Sequence, residues 1–184
     1  MHVKTEHGVN RRPASAPPSP RRQAAALLCF LAVSHGVSFL ASLVIIENAG
    51  GWYAAADKAP WTPPGWAFGA VWTVLYTAMA VAAWLVWRQG AGLPSGRSRG
   101  AMTVYGILLL LNLAWAPLFF GIYPMVGSAA LWLALLVITA HAVAAGATVV
   151  RFGLISRAAG LLMLPYVSWV VFSLSLNAYA AASN

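Results

Sequence analysis

Residues 58–88 read KAPWTPPGWAFGAVWTVLYTAMAVAAWLVWR, and five of the chain's nine tryptophans fall inside this stretch. It opens on a proline-rich knot and then runs apolar as far as Arg88. Pro63 and Pro64 donate no backbone hydrogen bond and push their predecessors toward extended geometry, so PWTPPGW is expected to be a stiff loop. The run beyond it, about 66–87, is uncharged and meets the roughly 20 residues that a helix needs to cross a bilayer. Four further runs have the same character, at about 24–46, 101–121, 125–150 and 158–180, and none of the five contains Asp, Glu, Lys or Arg.

Composition points the same way. Hydrophobic residues make up 61% of the 184 and charged residues only 8%, against about 25% charged in a soluble domain. A chain this apolar lacks the polar surface to face water and takes lipid as its solvent. The expected fold is therefore all-α, an integral membrane bundle of five transmembrane helices, with residues 24–184 as one membrane domain. Short connections near 122–124 and 151–157 make neighbouring helices antiparallel. Residues 1–23, containing NRRPASAPPSPRR, have nothing to bury and read as a disordered basic tail. The first run is too long for the apolar core of a signal peptide, and no small-x-small site ends it. Cys29 alone allows no intramolecular disulfide, and bulky Leu28 before it does not suit lipidation.

With five crossings, the tail and the loops at 88–100 and 151–157 share one side. That side carries Lys4, Arg11, Arg12, Arg21, Arg22, Arg88, Arg97, Arg99, Arg151 and Arg157, and the other carries only Lys58. The bias predicts a cytoplasmic N-terminus and a C-terminus outside. It also accounts for the net charge of +8 without nucleic acid, because the basic residues are divided among loops beside the spans.

The spans lack several kinds of machinery. They hold no ionisable carboxylate or lysine for a proton path, and Glu6, Glu47 and Asp57 all lie outside them. General acid–base chemistry has little to use, and no metal-spacing motif or phosphate loop appears. Two histidines do fall in spans, His35 and His141. Each is read either as a haem-iron ligand or as a hydrogen-bond partner for a neighbouring helix.

What the spans do hold is tryptophan with neutral polar groups. Trp72 and Tyr76 are four apart and share a helix face. In LNLAWAPLFFG (111–121), Asn112 and Trp115 are three apart, Asn112 needs a partner inside the bundle, and Pro117 cannot bond the Leu113 carbonyl. In LPYVSWVVFSLSLNAYA (164–180), Trp169, Ser173 and Asn177 make an inward stripe, and Pro165 interrupts the backbone ladder. Three tryptophans turned toward one interior are expected to pack badly around nothing and to suit a flat aromatic ligand. The competing reading has the rings facing lipid or plugging the core. Trp84 and Trp87, beside Arg88, read as an interfacial aromatic belt.

These residues match a known pattern. WY, then KxxWTPPGWxFGxVWTxLYxxMAxAAWLVW, LNLxWxPLFFG and LPYxxWVxFxxxLN, in that order, resemble the TspO/MBR family, the tryptophan-rich sensory proteins related to the mitochondrial translocator protein. The resemblance covers roughly residues 30–180. It implies a five-helix bundle that often forms a homodimer, with a pocket open toward the first loop for porphyrins such as protoporphyrin IX and for haem. No further cofactor is required. Carried over by motif, Tyr53 in GWY corresponds to a loop residue over the pocket, Trp72 to a wall, Asn112 and Trp115 to further lining, and Trp169 to the second tryptophan of the porphyrin site. Ser173 stands where the family usually has a small residue at the ligand. The sterol motif of the animal proteins needs a basic residue soon after a tyrosine. Tyr179 is followed by AAASN, so cholesterol is not expected. Sequence style and the tail suggest a bacterial cell membrane. The functions implied are a tetrapyrrole-linked sensor, carrier or scavenger, or a light- and oxygen-dependent porphyrin-degrading enzyme using Trp72 and Trp169. A third reading is a non-catalytic protein that fills its pocket with lipid or binds a partner.

Overall fold

A computed structural model of the chain describes residues 18–90 and 95–184, and every regular element among them is helical. In chain order these are α1 (Pro20–Ala49), a single turn α2 (Trp52–Ala55), α3 (Gly65–Gly90) and α4 (Ser95–Ala116). A π-helical turn at Pro117–Gly121 extends α4 and leads to the short α5 (Tyr123–Val126), then α6 (Ser128–Gly153) and α7 (Arg157–Ser183). Among the described residues five helices are long and apolar enough to cross a membrane: α1, α3, α4 with its π turn, α6 and α7, each 26–30 residues. At about 1.5 Å per residue, a 26-residue helix spans roughly 39 Å, more than the ~30 Å hydrocarbon core. The helix ends, where the arginines sit, therefore reach the headgroups.

Two expected boundaries shift. α1 begins at Pro20 and not at residue 24, because proline fits the first helical position, where its missing N–H would be unpaired anyway. Gln23 N–H then donates to the Ser19 carbonyl at 3.0 Å, which puts Arg21 and Arg22 on the first turn. The remainder of the expected disordered tail, residues 1–17, lies outside the described residues. The second loop, expected at 88–100, is entered by helix from both sides, since α3 runs to Gly90 and α4 starts at Ser95. A helix continues past the membrane edge while its backbone ladder is unbroken, and hydropathy does not register that.

The spans close into a ring in the order α1–α3–α7–α6–α4, with α3 also touching α4 across it. The ends bearing Arg21, Arg22, Arg88, Arg97, Arg99, Arg151 and Arg157 all lie at one end of this ring. Lys58 lies at the other, the loop end. α1 buries only Ser34 and Ala41, and Leu28, Phe39 and Ile46 are exposed on its outer face, as suits a helix whose surroundings are lipid. α6 and α7 meet where two glycines face each other. A Cβ on Gly160 would stand 2.8 Å from the Gly153 Cα and 3.2 Å from the Val149 carbonyl oxygen, so only small residues permit this approach.

Of the two prolines singled out in the spans, Pro117 reshapes the backbone, whereas α7 stays helical through Pro165. With no N–H at Pro117, the ladder slips by one residue, and Ile122 N–H donates to the Pro117 carbonyl at 3.1 Å, a π-type bond. Pro165 stands inside α7. The stretch PWTPPGW stays non-helical until Gly65. This loop is fastened to the end of α7: Trp61 Nε1 donates to Ser175 Oγ at 3.2 Å, and its ring meets Tyr179 edge-on at 5.5 Å. The Asn184 side chain bonds both the N–H and the carbonyl of Asp57, at 3.0 and 3.1 Å. On the opposite flank, Trp52 stacks on Tyr123 at 3.7 Å and donates to the Phe120 carbonyl. The first loop thus bridges the mouth of the bundle.

Candidate functional site

An aromatic wall runs between α3 and α7. Trp72 lies 5.5 Å from Tyr76, one turn away, and meets Tyr166 at 6.0 Å and Trp169 at 6.5 Å. The Trp72 and Trp169 rings are almost perpendicular, at 89°. Phe68 and Phe172 flank Trp169 at 5.8 and 5.3 Å. Edge-to-face contacts of this kind are the preferred aromatic geometry. The expectation that inward tryptophans pack badly without a filler is corrected on this point: two of them pack against each other, and the third is elsewhere.

Beside the wall, four spans meet in a chain of hydrogen bonds. Tyr76 Oη donates to Asn112 Oδ1. Asn112 Nδ2 donates to Tyr166 Oη at 2.9 Å, and Tyr166 Oη lies 2.7 Å from His141 Nε2. The partner that Asn112 requires in hydrocarbon is thus a pair of tyrosines, one from α3 and one from α7. His141 is buried and takes the role of a hydrogen-bond partner to a neighbouring helix. So does His35, 3.1 Å from Thr77 Oγ1. Among the described residues, no group of three or more His, Cys, Asp or Glu is placed to hold a metal ion.

A second aromatic layer lies nearer the loop end. Trp115 stacks on Phe119 at 5.1 Å and meets Phe120 at 5.9 Å. Tyr53 reaches down from α2 onto the same two phenylalanines, at 5.9 and 5.0 Å. Trp115 Nε1 donates to Asn177 Oδ1 at 2.9 Å, and Asn177 Nδ2 donates to the Leu131 carbonyl at 3.2 Å. Burial raises the Tyr53 hydroxyl above its usual pKa, and the Lys58 ammonium stands 5.0 Å from the Tyr53 ring centre. Lys58 is the one cation at this end among the described residues.

The seven residues singled out from sequence therefore divide. Trp72, Tyr76, Asn112 and Trp169 meet in the inner layer. Tyr53 and Trp115 belong to the outer layer. Ser173, buried on α7, lies one turn from Trp169 and one turn from Asn177 and joins the two. Sequence reasoning missed Tyr166, which touches Trp72, Asn112 and His141. Its position three residues before Trp169, on the same side of α7, was the available signal. It also missed Phe119 and Phe120, the plate between Tyr53 and Trp115. Trp84 stands apart, bonded to the Gln23 carbonyl at 3.0 Å with the Arg88 guanidinium over its ring at 4.6 Å.

One atom of the wall is unusual. Trp169 Nε1 is buried and has no hydrogen-bond partner, the only side-chain nitrogen or oxygen of which this is true among the described residues. A buried donor left unmade costs about 1–3 kcal/mol. Trp61, Trp52, Trp84 and Trp115 all spend their indole N–H on a protein acceptor. The Trp169 Nε1 atom itself is shut off from the surface, while the Trp72 and Trp169 rings are each only part-buried; one hollow lies along Ala70, Val71, Val74 and Leu75 and another between α6 and α7.

Comparison with known proteins agrees with this architecture. The TspO/MBR family pattern matches residues 27–182. The human translocator protein is 38% identical over 126 residues, 68% of this chain and 70% of its own length. The tryptophan-rich protein TspO of Archaeoglobus fulgidus is 33% identical over 154 residues, 83% of this chain and 90% of its own. A tryptophan-rich sensory protein of Cereibacter sphaeroides is 32% identical over 134 residues, 72% of this chain and 77% of its own. With the five-span ring in place and the match running from the first span to the last, the chain belongs to the TspO/MBR family.

Proposed function

We propose that this membrane protein binds a tetrapyrrole, protoporphyrin IX or haem, against the Trp72–Trp169 wall beneath the first loop, and serves as a sensor, carrier or scavenger of it. The observation that carries the reading is the unpartnered indole N–H of Trp169 within an aromatic wall. A porphyrin offers flat π surface to the rings and acceptor atoms to that donor. Its carboxylates suit Lys58 at the loop end. Stacking and hydrogen bonding suffice for such a ligand, which fits spans without carboxylates. The membrane orientation belongs to the same proposal, with the arginine end cytoplasmic and the loop end outside.

A second reading has one observation in its favour. Trp169, Trp72 and Tyr166 are in ring contact, so an excited porphyrin on this wall would have oxidisable side chains beside it, and light- and oxygen-dependent porphyrin breakdown needs no acid–base group. The test is titration of the purified protein with protoporphyrin IX in nanodiscs, in dark and light. Saturable quenching of tryptophan fluorescence above the empty-nanodisc control, with porphyrin absorbance that persists in light, supports the binder. Absorbance that decays to a new product only with the protein present supports the enzyme. No saturable quenching overturns both.

A further inference from the structure

We infer that the groove between α6 and α7 at the arginine end is a binding site for one anionic phospholipid, with an acyl chain in the groove and the headgroup phosphate on Arg157. The groove is lined by Val149, Gly153, Arg157, Gly160, Leu161 and Leu164 and holds ≈ 270 Å³. It exists because the glycine contact described above removes side chains from both helices, leaving a slot with apolar walls. Leu161 and Leu164 are 64% and 46% exposed, so the slot opens sideways onto the bilayer.

Size decides what fills it. From Arg157 to Leu164 the groove runs along about 10 Å of the α7 axis. A helix, about 10 Å wide, would lie across so narrow a slot and could put only side chains into it. A single acyl chain is the apolar body that fits. Charge decides the headgroup. Arg157 is exposed at the mouth of the groove, and its end of the bundle carries Arg21, Arg22, Arg88, Arg97, Arg99 and Arg151 besides. Among the described residues the acids are Glu47 and Asp57, both at the opposite end, so neither of these carboxylates competes for the guanidinium. Guanidinium binds phosphate through paired N–H donors. Two amides of the first turn of α7 are engaged within the protein: Ser156 Oγ accepts from Ala159 N–H at 3.4 Å and the Ser156 carbonyl from Gly160 N–H at 3.0 Å. Arg157, exposed and lining the groove, is the charged group placed to take the anion.

The experiment is native mass spectrometry of the protein released from nanodiscs of equal phosphatidylglycerol and phosphatidylcholine. The wild type is expected to retain one phosphatidylglycerol in preference to phosphatidylcholine. Arg157→Gln should lower that preference about fivefold, the effect of one basic residue at an anionic surface. Leu161→Trp, which fills the slot from its exposed side and leaves the charge, should lower retention of either lipid. Arg97→Gln, at the same end but away from the groove, should change neither. Equal losses from Arg97→Gln and Arg157→Gln would reduce the effect to general surface charge and overturn the site. Unchanged retention in Leu161→Trp would overturn the groove.

Discussion

Replacing Asn112 with leucine, which keeps the branching at Cγ but removes both polar atoms, tests whether the polar chain holds the bundle together. Asn112 takes a hydrogen bond from Tyr76 and gives one to Tyr166, and it is 7% exposed. Side-chain hydrogen bonds between membrane helices average about 0.6 kcal/mol. After substitution the two tyrosines do not fare alike. Tyr166 keeps His141, whereas Tyr76 has no other side-chain partner and its buried hydroxyl costs at least about 1 kcal/mol when unpaired. Together the lost bonds and the orphaned hydroxyl predict a destabilisation of about 2 kcal/mol. Reversible unfolding in mixed detergent–SDS micelles measures it. Adding Tyr76→Phe to the Asn112→Leu variant removes the orphaned group and should recover about half the loss. A single-variant loss below about 0.5 kcal/mol, or no recovery in the double variant, would mean that the chain is bystander to the fold.

Three further outcomes rest on the same geometry. Reporter fusions at Ser95 and at the C-terminus should report opposite sides of the membrane, with Ser95 cytoplasmic; the same side for both would contradict the five-span ring. Pro117→Ala restores the missing N–H and should convert the π turn to α-helix, which hydrogen exchange would register as a new, protected amide at residue 117 and altered protection at Ile122; a new amide that exchanges freely, with Ile122 unchanged, would assign the π turn to packing of Phe119 and Phe120 instead. Burial raises the Tyr53 pKa above 10.0, so the folded state holds that proton after the unfolded state has lost it, and the loop packing it supports should be constant below pH 10.0 and weaken above it. Tyr53→Phe should flatten that alkaline loss in a thermal-stability pH series, and an identical slope in both proteins would place the effect elsewhere.

Much of this fold is legible in the sequence because lipid imposes simple demands. Uncharged runs of about twenty residues, the double proline at 63 and 64 and the unpaired amide of Asn112 each allow few solutions, and the structure uses them. The start of α1 at Pro20 is not legible from hydropathy, since Arg21 and Arg22 are polar yet helical. The ring order is not legible either, because every span is apolar on several faces and periodicity does not choose neighbours. The division of the tryptophans into two layers has a geometric cause. Trp115 is three residues beyond Asn112, which shifts it about 4.5 Å along the axis and about 60° around it. That offset is enough to carry its ring from the Tyr76 layer to Asn177 and Phe119. Tyr166 escaped notice because a lone tyrosine beside a proline has no spacing partner on its own helix except Trp169.

The central claim is that Trp72 and Trp169 form the face on which a tetrapyrrole lies. It is tested most directly by protoporphyrin IX affinity, read by tryptophan quenching, across Trp72→Phe, Trp169→Phe and Trp84→Phe. Loss of ring area and of the free Trp169 donor should weaken binding several-fold in the first two, in line with about 0.5–1.5 kcal/mol per aromatic contact. Trp84→Phe, whose ring is occupied by Gln23 and Arg88, should bind like the wild type. Equal affinities in all four proteins, or a loss confined to Trp84→Phe, would contradict the account.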